Sequence, residues 1–175
     1  MKKTIAAVTA AAALAVPAAA SAHVTLQPGT VTAGSFSKVD VRVPNERDDK
    51  GTIKVDLRLP DGFYFLSYQK VPGWKARVFK QKRDKPVDLG GFSVDERYTR
   101  IVWRAKKPKR DRIAPGQFQD FPLSVRVPDG APGTQIAFRA FQTYQGGERV
   151  AWTGAPDADQ PAPRVTLLAA QEDAH

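Results

Sequence analysis

The residues of this chain that could bind a metal are few, and the most informative is a histidine near the amino terminus. The chain has 175 residues with two histidines, His23 and His175, and no cysteine. The stretch "PAAASAHVTLQP" places His23 directly after a run of small residues. If a peptidase cuts before His23, its α-amino group and its imidazole can chelate a metal together, because both lose their protons near neutral pH.

The segment before His23 has the pattern of a secretory signal peptide. Lys2 and Lys3 form a short basic region, residues 4–20 are almost wholly apolar, and Ala20-Ser21-Ala22 fits the small-x-small cleavage rule. The apolar run is short for a membrane anchor, which needs about 20 residues. We therefore predict a signal peptide at 1–22 and an exported protein that is periplasmic, extracellular or associated with the cell envelope.

The cleavage position has an alternative. Ala18-Ala19-Ala20 also satisfies the rule, and cutting there would leave His23 third in a Ser-Ala-His start. Such a start also binds Cu(II), through the amine, backbone nitrogens and imidazole, as a flexible square-planar site. We favour cleavage after Ala22, because hydrophobic strand residues follow immediately.

The composition restricts the metal that such a site could hold. The single methionine is Met1, so the chain after residue 22 contains neither cysteine nor methionine. The soft ligands of Cu(I), the cysteine of a blue-copper site and the four Cys or His ligands of a structural zinc site are therefore missing. The metal must accept nitrogen and carboxylate oxygen, and Cu(II) heads the divalent affinity series for these donors.

The chain is basic, with a formal net charge of +9 at pH 7. Much of the excess lies in "KQKRDKP" (80–86) and "RAKKPKRDR" (104–112). A net positive charge is compatible with nucleic-acid binding. However, Pro and Asp interrupt these basic clusters, and no predicted recognition helix carries them. We therefore expect solvated loops, which an anionic envelope surface could attract, and no nucleic-acid partner.

The elements that must position His23 are strands. In "GTIKVDLRLP" (51–60) apolar residues alternate with charged ones, which is the period of a half-buried strand. The same pattern, with Pro, Gly and Asp turns between, predicts strands at 23–28, 35–44, 51–60, 62–69, 73–81, 97–105, 119–128, 134–144 and 148–154. We expect an all-β fold, an antiparallel immunoglobulin-like β-sandwich of about eight or nine strands.

The domain organisation follows from this reading. The sandwich domain is predicted at 23–154, and residues 155–175 are expected to form a Pro/Ala-rich loop followed by a C-terminal strand or tail. His175 ends that tail and is expected to take no part in a site.

A carboxylate partner for the metal could come from the loop "VPNERDDKG", which offers Glu46, Asp48 and Asp49 between two predicted strands. A sandwich places the ends of neighbouring strands together, so one of these side chains could meet the amino-terminal strand and offset the metal's charge. Taken alone, each of the three is more simply explained as a solvated loop charge.

Several motifs, taken in order, resemble the YcnI-like copper-binding domain family of exported bacterial proteins. They cover nearly the whole chain after residue 22, and the ordered set is more specific than any member. The matching stretches are "AHVTLQPGTVTAGS" (22–35), "VPNERDDKGTIKVDLRLPDG" (43–62), "VPGWKA" (71–76), "RIVWRA" (100–105), "IAPGQFQDFPLSVRVPD" (113–129) and "FQTYQGGERVAWTG" (141–154).

The resemblance implies an all-β sandwich that binds one Cu(II) ion. It assigns the chelating amine and imidazole to His23 and the assisting glutamate to Glu46, and it places Trp152 beside the metal. The indole has no lone pair suited to coordination, so Trp152 is not expected to be a ligand. Trp74 and Trp103 are expected in the core.

The role that the resemblance implies is copper sequestration, storage or delivery. The expected partners are the copper ion and a copper-transport membrane protein or chaperone, and a dimer is left open. We expect the protein to bind copper without catalysing a reaction. G-x-S-x-G and phosphate-cradling glycine loops are absent from the sequence.

Two other functions stay open from the sequence. A copper-dependent oxidative enzyme resembling the polysaccharide monooxygenases would also start with histidine, but it would need a second histidine and only His175 remains. A metal-free adhesive or ligand-binding sandwich would use its basic loops instead.

Overall fold

The computed structural model describes residues 23–170, and every regular element in that range is a β-strand. The predicted signal peptide at 1–22 and His175 lie outside the described residues. None of the described residues belongs to a helix long and apolar enough to cross a membrane. The strands are β1 (Thr25–Gln27), β2 (Thr30–Thr32), β3 (Phe36–Pro44), β4 (Thr52–Arg58), β5 (Leu66–Tyr68), β6 (Trp74–Asp88), β7 (Ser93–Ala105), β8 (Phe118–Arg126), β9 (Gln135–Ala137), β10 (Arg139–Tyr144), β11 (Arg149–Trp152) and β12 (Arg164–Leu168).

These strands form two main sheets and a small third one. The four-stranded sheet has the order β1-β3-β8-β5, the five-stranded sheet β11-β10-β4-β7-β6, and the three-stranded sheet β2-β12-β9. All pairs of described strands are antiparallel except β12 with β2. The predicted all-β fold class is confirmed. The strands outnumber the expectation because β2, of 3 residues, is too short to show an alternating pattern, and because the predicted strand at 134–144 divides into β9 and β10.

The core lies between the four-stranded and five-stranded sheets. Val41 of β3 and Leu57 of β4 are completely buried. Trp103 of β7 reaches across to Phe121 of β8 with 4.9 Å between ring centroids, and Trp74 meets the same ring edge-on at 5.1 Å. Trp74 and Trp103 are thus core residues, as predicted, and truncating such a ring to alanine costs about 3–5 kcal/mol.

One local prediction was wrong. The basic stretch 80–86 is not a loop, because β6 and β7 pair as a long hairpin that includes it. The pairing register shifts between Phe79 and Lys80 and again between Lys82 and Val87. Cross-strand hydrogen bonds hold such a hairpin without an alternating apolar face, so the charged sequence does not reveal it.

Strand pairing decides which residues meet at the edge of the sandwich nearest the amino terminus of the described chain. β1 runs antiparallel to β3, with Thr25 opposite Arg42. Continuing this register brings His23 level with Pro44, the last residue of β3. Because Glu46 follows Pro44 by two positions, the start of β1 and the loop after β3 lie at the same edge.

Candidate metal centre

His23 lies two residues before the start of β1, against the side chain of Trp152. Its imidazole and the indole have centroids 5.6 Å apart and an interplanar angle of 55°. Val24, the next residue, is buried in the core, and the pairing of β1 with β3 fixes the strand that follows. His23 itself is half-buried. The backbone that presents the imidazole is therefore anchored, although the residue stands at the start of the described chain.

Glu46 and Trp152 line one pocket beside this contact. Its wall consists of Glu46, Arg47, Tyr144, Val150, Trp152, Asp159 and Gln160. Two of the three predicted site residues thus share a pocket, and the third, His23, contacts one of them. Asp48 and Asp49 do not belong to this lining and are exposed.

The buried side chain of Asn45 fixes the backbone immediately before Glu46. Its Nδ2 donates hydrogen bonds to the carbonyl oxygens of Lys50 at 2.8 Å and Ile113 at 2.9 Å. Its Oδ1 accepts from the backbone N–H of Arg47 at 3.0 Å. A buried amide with all these bonds made is costly to displace. Glu46 therefore stands on a rigid turn, although its side chain is exposed.

Gln142 on β10 joins the two halves of the site. Its Nε2 donates to the carbonyl oxygen of Pro44 and to Oγ1 of Thr52, both at 2.7 Å. Its Oε1 accepts a hydrogen bond of 3.1 Å from Nε1 of Trp152. One side chain, only 1% exposed, thus connects the strand end that leads to Glu46 with the indole beside His23.

The charges around the pocket are of both signs. Arg47 forms an ion pair with Glu148, and its guanidinium lies 5.4 Å from the ring centroid of Tyr144. Burial raises the pKa of the Tyr144 phenol, Arg47 opposes the rise, and the carboxylates of Glu148 and Glu46 add to it. The charge of Glu46 is therefore felt at the inner wall of the pocket, together with the opposing charge of Arg47.

The Pro/Ala-rich stretch after β11 lies across a groove from His23. A groove beside His23 is lined by Pro156, Pro161, Ala162 and Pro163 together with the start of β1. The backbone N–H of Gly154 donates to the carbonyl oxygen of Gln160 at 2.9 Å, which folds this stretch back on itself. A Cβ added at Gly154 would come within 2.9 Å of that same oxygen, so the close approach requires glycine.

The donor set can be tested against a metal ion. Among residues 23–170, no three side chains of His, Cys, Asp or Glu are grouped closely enough to hold a metal. Side chains of the described chain alone therefore do not make a closed site. An imidazole and a carboxylate fit Cu(II) if a backbone amine supplies a further nitrogen, which is the arrangement predicted for a chain that starts at His23.

Sequence reasoning missed Gln142, Tyr144, Asp159 and the wall formed by residues 156–163. A signal for Gln142 exists, because it continues the inward positions of β10 and is polar where the pattern calls for an apolar residue. Asp159 and the proline wall have no such signal, since they lie in a stretch without periodicity.

The chain matches a family model over residues 23–167, described as a domain of unknown function, DUF1775. A curated relative, the copper-binding protein CutI of Bacillus subtilis (strain 168), is 33% identical over 155 residues, which cover 89% of this chain and 67% of CutI.

Among solved structures, a protein from Nocardia farcinica described as having an immunoglobulin-like fold superposes with a TM-score of 0.65 at 32% identity. The match covers 85% of this chain and 99% of that one. The predicted immunoglobulin-like architecture is thereby confirmed.

Proposed function

The chain belongs to the DUF1775 family, and from this membership we propose that it is an exported copper-binding protein that holds Cu(II) between His23 and Glu46 beside Trp152. The observation that carries the proposal is the position of Trp152. Its ring lies 5.6 Å from that of His23 and also lines the pocket of Glu46. The two proposed ligands belong to separate parts of the sequence, and both lie beside the indole of Trp152.

The chelate at His23 requires cleavage after Ala22. The peptide nitrogen of His23 would then become a free amine, and the amine and imidazole of one residue would supply two nitrogen donors. The family match begins at His23, which supports this position for the start of the exported domain. The apolar, Ala-rich segment before it supplies the export signal.

Glu46 supplies the oxygen donor. A carboxylate offsets part of the charge of a divalent ion, and the Asn45 hydrogen bonds hold its backbone in place. The indole of Trp152 would shield the ion from water on one side. Gln142 keeps the indole in position by accepting its N–H.

The choice of copper rests on the ligand chemistry and on the relative. The chain after residue 22 has no thiol or thioether, so the donors are nitrogen and oxygen, for which Cu(II) has the highest affinity of the divalent first-row ions. CutI of Bacillus subtilis, 33% identical, is named a copper-binding protein.

The proposed role is to sequester, store or deliver copper outside the cytoplasmic membrane, in the periplasm or at the cell envelope. A copper-transport membrane protein or a chaperone would exchange the ion with it. Copper is thus bound as cargo, and we propose binding rather than catalysis.

Titration with Cu(II), followed by electron paramagnetic resonance, tests the proposal on two forms of the protein. The first begins at His23, as verified by intact mass, and the second carries one extra glycine before His23. We expect tight binding and one cupric spectrum for the first form, and weak or heterogeneous binding for the second. Equal binding by both forms would show that the amine of His23 is not a ligand. The stoichiometry at saturation also reports whether one ion serves one chain or two.

A further inference from the structure

The outward face of the five-stranded sheet carries two rows of basic side chains. The strand register sets the members of each row directly opposite one another on neighbouring strands. The rows are Arg139–Arg58–Arg100 across β10, β4 and β7, and Lys54–Arg104–Lys75 across β4, β7 and β6. Arg77 of β6 and Arg149 of β11 flank the rows, and we call this surface the basic face.

Aromatic rings hold the guanidinium groups of the basic face in place. Phe141 has the guanidinium carbons of Arg58, Arg139 and Arg149 at 4.8, 5.8 and 4.1 Å from its ring centroid. Such stacking restricts the guanidinium plane while its N–H groups stay available at the edges. These arginine side chains are therefore already ordered in the folded protein, and binding an anion costs less side-chain entropy.

A single acidic side chain offsets only part of the charge of this surface. Between the two rows, the described strands carry one carboxylate, Asp56, which is 1% exposed. Its oxygens accept hydrogen bonds of 2.8 and 2.6 Å from Arg100. Asp56 also forms an ion pair with Lys54 at 3.8 Å. It therefore offsets one charge from beneath, and the six cations of the two rows keep a positive excess.

This arrangement of like charges lowers the stability of the folded protein. Like charges directly opposite one another on neighbouring strands are destabilising, and both rows consist of them. Their mutual effect is visible at Lys54, where burial and then the charge of Arg104 lower the pKa of the ammonium group. A feature that opposes stability on an otherwise well-packed sheet suggests a functional reason.

The opposite side of the sandwich has the arrangement expected of an ordinary solvated sheet. On the four-stranded sheet and its flank, basic side chains are paired with neighbouring acids. These pairs are Lys38–Asp40 at 2.7 Å, Arg42–Asp120 at 2.8 Å and Arg126–Asp129 at 3.3 Å. The asymmetry between the two sides gives the molecule one surface that attracts anions.

We propose that the basic face docks the protein onto the anionic phospholipid headgroups of a membrane surface. Neighbouring strands are about 4.8 Å apart, so five strands spread the cations over about 19 Å. A broad sheet surface of this kind matches many phosphates on a plane rather than one ligand in a cavity. Arginine suits the task because its planar fork binds phosphate oxygens through two N–H groups.

The tip of the β6–β7 hairpin supports a membrane over a soluble polyanion. The strands that carry Lys75 and Arg104 continue into this hairpin, and its turn exposes Phe92, which is 70% accessible. Of the acids near the tip, Glu96 is paired with Lys80 at 3.0 Å. A phenyl ring finds no stacking partner on duplex DNA or on a polysaccharide chain, whose bases or sugars are not free to receive it as single-stranded bases are. At a bilayer, a phenylalanine side chain can enter the boundary between the headgroups and the acyl chains.

The proposal is tested by sedimentation with vesicles, using protein expressed from the full sequence. Vesicles of phosphatidylcholine alone are compared with vesicles in which a third of the lipid is phosphatidylglycerol. The test variant combines Lys75→Gln, Arg104→Gln and Arg139→Gln, and the matched control combines Lys38→Gln, Arg42→Gln and Arg126→Gln. Both variants lose the same formal charge, and circular dichroism melting verifies that both fold.

We expect binding to the anionic vesicles only, weakened about 100-fold in the test variant and far less in the control. Raising the salt concentration should release the protein. Equal weakening in both variants would overturn the proposal, because net charge rather than the basic face would then explain binding. Binding to neutral vesicles, or tighter binding to duplex DNA or heparin than to the anionic vesicles, would overturn it as well. Copper binding plays no part in this inference, and both variants should retain it.

Discussion

Nε1 of Trp152 donates a buried hydrogen bond to Oε1 of Gln142, with 3.1 Å between the two atoms. The same Gln142 side chain donates to the carbonyl oxygen of Pro44, two residues before Glu46. The backbone that leads to Glu46 and the indole of Trp152 are thus linked through one buried side chain. Because Gln142 does not line the pocket, it acts as a positioning residue, and its contribution is to keep the indole and the turn in register.

Gln142→Leu should destabilise the fold and weaken Cu(II) binding. The substitution removes the acceptor of Trp152 Nε1 and the donor to the carbonyl oxygen of Pro44, and an unsatisfied buried group costs about 1–3 kcal/mol. Urea unfolding measures the stability, and competition with a chelator measures the affinity.

The matched control for Gln142→Leu is Ile101→Val, which costs about 0.5–1.5 kcal/mol in the same sheet but lies away from the pocket. The control should keep its affinity for Cu(II) and its cupric resonance parameters, whereas Gln142→Leu should alter both. If both variants bind copper equally well, Gln142 has only a structural role.

Glu46→Gln should reduce the affinity for Cu(II) by about 10-fold or more, because a neutral amide compensates the metal charge poorly. Asp159→Asn is the control, since Asp159 lines the same pocket and its substitution removes the same charge. Isothermal titration of both variants with Cu(II) shows whether the loss of affinity comes from a lost ligand or from a general electrostatic effect. Equal losses in the two variants would assign the contribution of Glu46 to the field of the pocket rather than to coordination.

Asp111→Asn should destabilise the protein in a pH-dependent way. The side-chain hydrogen bond from Arg110 lowers the pKa of the Asp111 carboxyl below 3.8, and the backbone N–H of Lys107 acts in the same direction. A carboxyl with a lowered folded-state pKa stabilises fully above its unfolded pKa and loses that contribution as the pH falls through the lower value.

Urea unfolding at pH 7 and near pH 2 checks this prediction for Asp111. The difference between the wild type and the variant should be present at neutral pH and shrink in acid. It should also shrink in high salt, because Arg110 is exposed and its ion pair is screened. A difference that grows in acid would contradict the assignment.

Local sequence pattern predicts strands well but does not predict their partners. The alternation in β4 identified Leu57 as buried, and it placed Asp56 on the polar face, where the residue nevertheless lies buried beneath Arg100. Burial of Asp56 depends on a strand more than 40 positions along the chain, and no local period contains that information. The basic face was missed for the same reason, since its rows arise only when β10, β4, β7 and β6 are placed in register.

The site shows the same limit. The metal-binding chemistry of His23 and the acidic character of the loop after β3 are visible in short segments, so they could be predicted from the sequence. The position of His23 level with Pro44 follows from the pairing of β1 with β3, and its groove includes Pro156 and Pro161 from a distant part of the chain. The roles of His23, Glu46 and Trp152 in binding copper stay predictions, and the indole offers the most direct test of them.

Trp152→Phe should retain Cu(II) binding and abolish most of the fluorescence quenching that copper causes. Cupric ions quench an indole efficiently only at short range, and Trp152 is the tryptophan whose ring contacts His23, at 5.6 Å between centroids. The other two tryptophans pack against Phe121 in the core. Trp74→Phe is the control, because it removes an indole of similar burial and should leave the quenching intact. Quenching that persists in Trp152→Phe but falls in Trp74→Phe would place the copper elsewhere in the molecule.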